Sequence, residues 1–217
     1  MRSIVRFDSF RMAAPLIVAG LLTAGVGCTP AGNEAEGPLT GEALAERGAY
    51  LVTTGACGDC HTPWRMGAAG PEPDSTRHLS GHPEGVVITS APEPDPGIWM
   101  WSGAATMTAF AGPWGVSFAA NLTPDEATGI GAWTEEMFVQ GLRTGKHWGR
   151  GRDILPPMPW QAYAHFTDED LRAIFAYLNT LDPIINRVPP PVPPAGPPPG
   201  APGATGEPGA TGGSGGE

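Results

Sequence analysis

The sequence predicts a mainly α-helical domain with little core of its own, and three observations carry that expectation. Apolar side chains recur at helical spacing in three separated stretches, near residues 41–52, 133–145 and 166–178. Between the first and second of these, from Trp64 to about Ala120, the chain is rich in proline and glycine and keeps no sustained helical period. The apolar stripes are thin for a folded part covering residues 40–187, so such a domain would gain from enclosing a large apolar group.

The elements follow in chain order. Arg2, Arg6 and Arg11 precede the uncharged run Met12 to Gly27, a basic and then apolar pattern that reads as an export signal. The run is shorter than the roughly 20 residues a membrane-spanning helix needs. AGVGC, ending at Cys28, resembles a bacterial lipoprotein signal, with Gly25 where Leu is usual. On this reading residues 1–27 are removed, Cys28 becomes the lipidated first residue, and the protein is periplasmic and membrane-anchored; ordinary signal cleavage nearby is the alternative. Residues 28–39 are small and polar and read as a tether.

Removing residues 1–27 takes away three arginines and Asp8 and moves the formal charge from −10 to −12. An acidic chain with so few lysines is a poor partner for nucleic acid.

A first helix is expected over Gly41 to Val52, with Leu44, Gly48 and Leu51 on one face and Gly55 as its stop. The middle segment offers three short strand candidates, Val86 to Ser90, Ile98 to Trp101 and Trp114 to Phe118, so a short β-hairpin can form within residues 84–120. A second helix is expected over Trp133 to Gly145, with Thr134 as N-cap, two glutamates in its first turn and Gly145 at its end. The last begins at Thr167 as N-cap, with Asp170 in the capping-box position. Its stripe is Leu171, Ile174, Phe175 and Leu178. Residues 188–217 hold 10 Pro and 9 Gly, too few apolar groups to offset ordering, and end in six Gly-x-y triplets; the expectation is a disordered tail.

With Cys28 assigned to the anchor, the remaining thiols are Cys57 and Cys60, in CGDCH. Three chemistries use such a spacing. Structural zinc needs four ligands, and only His78 and His82 offer a second pair at suitable separation. A thioredoxin-like dithiol opens a helix in a βαβ setting, whereas HTPWRMG follows here. Haem attachment needs two thiols to add across the vinyl groups on one porphyrin edge while the adjoining histidine binds iron, and C-x-x-C-H supplies this within five residues. Export agrees with the third, which is the reading adopted.

His61 as proximal ligand leaves the distal iron position open. A methionine thioether there favours ferrous iron. Of the five methionines in the folded part, Met66 is too near His61 in sequence, Met137 reads as helix core, and Met100 and Met107 belong to the irregular middle. Met158 lies in ILPPMPW, where Pro156, Pro157 and Pro159 stiffen the loop and Trp160 adds bulk. His147 and His165 are the competing ligands by position.

At this point the chain resembles the class I c-type cytochromes, and among them the exported cytochrome c proteins related to the cytochrome subunits of bacterial membrane dehydrogenases. The resemblance is carried by RGAYLVTTGACGDCHTP, LSGHP, NLTPDEATGIGAWTEEMF, LRTGKHWGRG, LPPMPW and FTDEDLRAIFAYL, which span most of residues 40–187. It implies a cytochrome c fold of three or four helices around one covalently attached haem c. Cys57 and Cys60 would be the thioether sites, His61 the proximal ligand and Met158 the distal ligand. It also implies that the first and last helices cross, a close approach that Gly48 would permit. The segment between CGDCH and NLTPD is longer than in the smallest members.

The function this implies is that of an electron carrier, not an enzyme, moving single electrons between a donor dehydrogenase and an acceptor in the periplasm or membrane. The alternatives are a dedicated cytochrome subunit of an alcohol- or sugar-oxidising complex, and a haem enzyme with a labile distal ligand. Arg143, Lys146, His147, Arg150 and Arg152 cluster within ten residues of an otherwise acidic chain. They are either a solvated face or a site where Arg143 and Arg150 meet haem propionates or an acidic partner, with Trp148 and Trp160 lining the crevice.

Overall fold

A computed structural model describes residues 37–90 and 99–194. The expected export signal, Cys28, most of the tether and the Gly-x-y triplets lie outside the described residues.

Three helices make the frame. Helix α1 (Gly41–Thr54) is two residues longer than the sequence predicts and stops at Gly55, whose N–H reaches back to the carbonyl of Leu51 at 2.7 Å. Helix α3 (Glu135–Thr144) starts where Thr134 Oγ1 accepts from the Met137 N–H at 3.2 Å and ends at Gly145 in left-handed conformation, φ 66°. Helix α5 (Asp168–Leu178) is capped by Thr167 Oγ1, which accepts from the Asp170 N–H at 3.0 Å. Asp170 does not turn back in the manner of a capping box; its carboxylate accepts from Arg47 Nε and Nη2 at 3.0 and 2.9 Å, tying α5 to α1. Two short helices complete the set: α2 (Cys57–His61), which is the CGDCH turn itself, and α4 (Trp160–Tyr163), which the sequence reading did not anticipate.

Helices α1 and α5 cross as expected. A Cβ placed on Gly48 would stand 1.9 Å from the Ala173 carbonyl oxygen and 2.7 Å from Tyr177 Cβ, so only glycine lets the two backbones meet there. Leu51, Val52, Leu171, Ala173, Ile174 and Leu178 bury this seam, and Phe138 of α3 with Leu79 and Ile130 from the loops extends it.

The irregular middle contains two small antiparallel sheets. Strands β3 (Ser102–Gly103), β4 (Ala109–Gly112) and β5 (Gly115–Phe118) form one, with β4 and β5 as a tight hairpin inside the expected window. The other, β1 (Trp64–Gly67) with β2 (Gly70–Pro73), follows CGDCH directly and was not predicted, because Pro71 and Pro73 read as breakers. Both prolines sit on a two-stranded ribbon where an absent N–H costs no ladder. Val86 to Ser90 is not a strand: the Val86 carbonyl accepts from His82 Nε2 at 2.8 Å instead of from a neighbouring strand. Of the Ile98 to Trp101 candidate, Ile98 is outside the described residues and the rest is not extended in a ladder.

The chain after α5 also departs from expectation. Residues 188–194, counted with the tail from sequence, pack on the domain, and Val192 exchanges two backbone hydrogen bonds with Val116 of β5 at 2.8 and 2.9 Å.

Candidate functional site

The CGDCH turn is aimed by its backbone. Ala56 adopts a left-handed conformation, φ 56°, and turns the chain out of α1 into α2. Within one helical turn, positions three and four apart share a face, so Cys57, Cys60 and His61 project together. Tyr163 OH donates to the Gly55 carbonyl at 2.6 Å and fixes the entry to that turn from α4.

His61 is buried, and its Nδ1 lies 2.8 Å from the Ala120 carbonyl oxygen. A carbonyl only accepts, so Nδ1 carries the proton and Nε2 keeps its lone pair. Burial lowers the imidazole's proton affinity, which favours this neutral form. The same polar contact orients the ring, as a supporting acceptor does for metal-bound histidines.

Burial drives the thiols the other way: Cys57 is raised to about 11, with Asp59 adding to the rise, and Cys60 is raised by burial and then by Asp59. A redox dithiol works through a lowered thiol pKa, so this environment disfavours that reading of CGDCH. The zinc reading also loses its second pair. His82 uses both ring nitrogens, toward Thr108 Oγ1 at 3.0 Å and Val86 O at 2.8 Å, and His78 Nδ1 meets Thr62 Oγ1 at 3.3 Å. Among the described residues no group of three or more His, Cys, Asp or Glu side chains is placed to hold a metal ion.

Cys57, Cys60 and His61 border a cavity of about 810 Å³, within the range of roughly 300–1,000 Å³ usual for cofactor and ligand sites. Its wall is largely apolar: Leu51 and Val52 from α1, Phe110 and Phe118 from the hairpin, Phe138 and Leu142 from α3, Ile174 and Leu178 from α5. Met158 is the methionine in that wall, while Met66 and Met100 are 77 % and 75 % exposed elsewhere. Its loop is fastened to β5 by Ser117 Oγ, which donates to the Pro156 carbonyl at 2.5 Å. His147 also lines the cavity and His165 does not.

The basic cluster divides. Trp148 and Arg152 line the cavity, and Trp148 stays 48 % exposed, its ring 6.3 Å from Trp133 and 5.8 Å from His147. Arg143 turns away: its guanidinium donates to the Ala164 carbonyl and to Asp168 Oδ1, the latter at 2.6 Å, pinning α3 to the start of α5. Arg150 and Trp160 are not in the wall. Trp160 covers the end of α3, where a Cβ on Gly145 would strike its indole at 2.4 Å. Sequence reasoning missed Arg187, the last residue of the expected folded part; Pro189 to Pro191, hidden in a stretch whose composition signals disorder; and Ala120, whose backbone oxygen leaves no mark in sequence.

The site fits a haem on its own chemistry. Two thiols and a neutral imidazole with a free nitrogen share one side of an apolar cavity; a thioether and the cations Arg152 and Arg187, suited to carboxylates, also line it.

The chain is similar over about two thirds of its length to cytochrome subunits of dehydrogenases and to a diheme cytochrome. It is 31 % identical over 134 residues to the fructose dehydrogenase cytochrome subunit of Gluconobacter japonicus, a match covering 62 % of this chain and 20 % of that subunit. It is 29 % identical over 136 residues to the gluconate 2-dehydrogenase cytochrome c subunit of Pantoea cypripedii, covering 63 % and 23 %. With a diheme cytochrome c-type protein of Cereibacter sphaeroides it shares 30 % over 145 residues, 67 % of this chain and 38 % of the other. The matched stretch thus spans about a fifth of the first two relatives' length. No protein-family model matches the chain.

Proposed function

We propose that this chain, a distant member of the c-type cytochrome family, carries single electrons by means of one covalently attached haem c. The observation that carries the reading is the apolar cavity into whose wall the CGDCH turn brings two thiols and an oriented, neutral imidazole. When bound, haem supplies one-electron chemistry at its iron. Cys57 and Cys60 would hold it through thioethers, His61 would give Nε2 as proximal ligand, and Met158 would give its sulfur as distal ligand. The apolar wall keeps water from the group, and Arg152 is placed to meet a carboxylate at the cavity.

The partners follow from the relatives, whose names are those of dehydrogenase cytochrome subunits. A donor dehydrogenase oxidising an alcohol or sugar is the proposed source of electrons, with this chain as its carrier or its subunit. The place of action would be outside the cytoplasmic membrane, with Cys28 lipidated. Arg150 and Arg152 beside exposed Trp148 make the docking face we favour for an acidic partner.

Purified protein tests the reading directly. A Soret band that survives denaturation, with redox-dependent visible bands, is expected; a protein matured with the haem-attachment machinery that shows no such band would refute it. Met158→Ala should remove the thioether signature from the near-infrared spectrum while haem stays attached. Mass spectrometry of the mature amino terminus should show diacylated Cys28.

A further inference from the structure

The segment after α5 crosses the cavity wall between two fixed points. At the first, Asn186 is fully buried and spends its whole side chain on the loop after β2: Nδ2 donates to the Ser80 and His82 carbonyls at 2.6 and 2.9 Å, and Oδ1 accepts from Arg77 Nη2 and the Glu84 N–H at 2.9 and 3.0 Å. At the second, Val192 pairs with Val116 through both backbone groups, at 2.8 and 2.9 Å. The neighbouring position is shaped for this pairing, because a Cβ on Gly115 would stand 2.1 Å from the Val192 carbonyl oxygen.

Between the two points, Pro189, Pro190 and Pro191 form part of the cavity wall. Proline has no N–H and a fixed φ, so three in succession can lie along an apolar cavity without stranding a donor and with little freedom to lose. Two anchors with a stiff, donor-free span between them describe a strap.

The second anchor also bears on Met158. Val116 precedes Ser117, and Ser117 Oγ holds the Pro156 carbonyl at 2.5 Å, two residues before Met158. Val192 thus supports the strand that fastens the Met158 loop.

We propose that residues 186–192 are a strap that completes the cavity wall and, through β5, positions the Met158 loop. Val192 is a positioning residue on this view. The part of the proposal that concerns Met158 rests on the haem reading above.

Two truncations of the holoprotein separate the strap from the rest of the tail. Ending the chain after Pro194 should change nothing. Ending it after Arg187 keeps the Asn186 anchor but removes the span and the Val192 pair. Exogenous cyanide should then reach the ferric iron about thirtyfold faster, the change expected when opening no longer breaks two backbone hydrogen bonds worth about 2 kcal/mol together. The Val116 amide should lose its protection against hydrogen exchange in the same variant. Equal cyanide rates and equal Val116 protection in the full chain and in the variant ending at Arg187 would overturn the strap. Loss of Val116 protection without faster cyanide entry would overturn its action on the Met158 loop. Absence of haem from the full chain would instead count against the functional reading, and Val116 exchange would still test the strap.

Discussion

Gly48 and Ala173 are the point at which α1 and α5 touch backbone to backbone: a methyl group on Gly48 would lie 1.9 Å from the Ala173 carbonyl oxygen. Because the obstacle is main chain in the middle of a helix, no rotamer change relieves it. Gly48→Ala gains about 1 kcal/mol of helix propensity but must push the helices apart, an overpacking cost of about 1–3 kcal/mol, taken here at or above its upper end. The expected result is a net loss of about 2 kcal/mol in urea unfolding. Gly85→Ala, where a Cβ meets nothing within 4 Å, should leave the midpoint almost unchanged.

Tyr163 and the CGDCH turn give a second prediction. Its hydroxyl donates to the Gly55 carbonyl at 2.6 Å, and burial, with the nearby thiols and Asp59, raises its pKa to about 12. The phenol is therefore protonated and donating throughout the physiological range. Tyr163→Phe should cost about 1 kcal/mol of stability, as for one hydrogen bond lost with its carbonyl left partly buried. If the bond orients the turn, amide exchange at Cys57 and Gly58 should also accelerate in the variant.

Much of the frame was legible because its signals are local. Thr134 and Thr167 cap in the chemistry that their neighbours advertise, and Gly145 ends α3 with a positive φ. Gly48 could be placed at a crossing because the family resemblance implies that the first and last helices cross, and a glycine on the apolar face of the first permits that approach. What escaped was decided by distant partners. Val192 looks like one more residue of a proline-rich tail until Val116 is beside it, and Arg143 sits in a basic cluster by sequence yet is taken up by Asp168 and the Ala164 carbonyl. Pro71 and Pro73 argue against a strand in general but not on a ribbon with no further neighbour. At the site, Cys57, Cys60 and His61 were readable because one helical turn sets their geometry. Met158 was readable from its proline-flanked loop, whereas the Ser117 bond that fastens that loop to β5 and the place of Arg187 in the cavity wall were not.

Acid should weaken the fold through identifiable carboxylates. Asp168 is held below the ordinary aspartate range first by its hydrogen bond to Arg143 and then by that guanidinium's charge; Asp125 and Asp74 are lowered chiefly by the hydroxyls of Thr128 and Thr76. A carboxyl group with a depressed folded-state pKa contributes stability above its unfolded value of about 3.9, and that contribution disappears as pH falls through the folded value. The thermal midpoint should therefore drop below about pH 4 more steeply than between pH 5 and 7. Asp168→Asn should lower the midpoint at pH 7 and converge with the parent protein in acid. A constant offset at every pH would mean that packing, and not charge, sets the effect.

Local and overall charge make opposite predictions at the cavity. The chain carries a formal charge of −10, yet exposed Arg150 and Arg152 follow exposed Trp148 within four residues, and neither is in an ion pair among the described residues, whereas Lys146 is paired with Asp153. At about 0.1 M ionic strength charges beyond about 10 Å are largely screened, so an anion approaching this face feels the two arginines more than the distant carboxylates. Oxidation of the reduced protein by hexacyanoferrate(III) should then slow as salt is added, the sign of attraction. Arg150→Glu with Arg152→Glu should reduce the low-salt rate several-fold and reverse the salt dependence, while the rates of parent and variant converge at high salt. A parent rate that rises with salt would show that the net charge governs encounter, and electrons would then leave by a different face from that of Trp148.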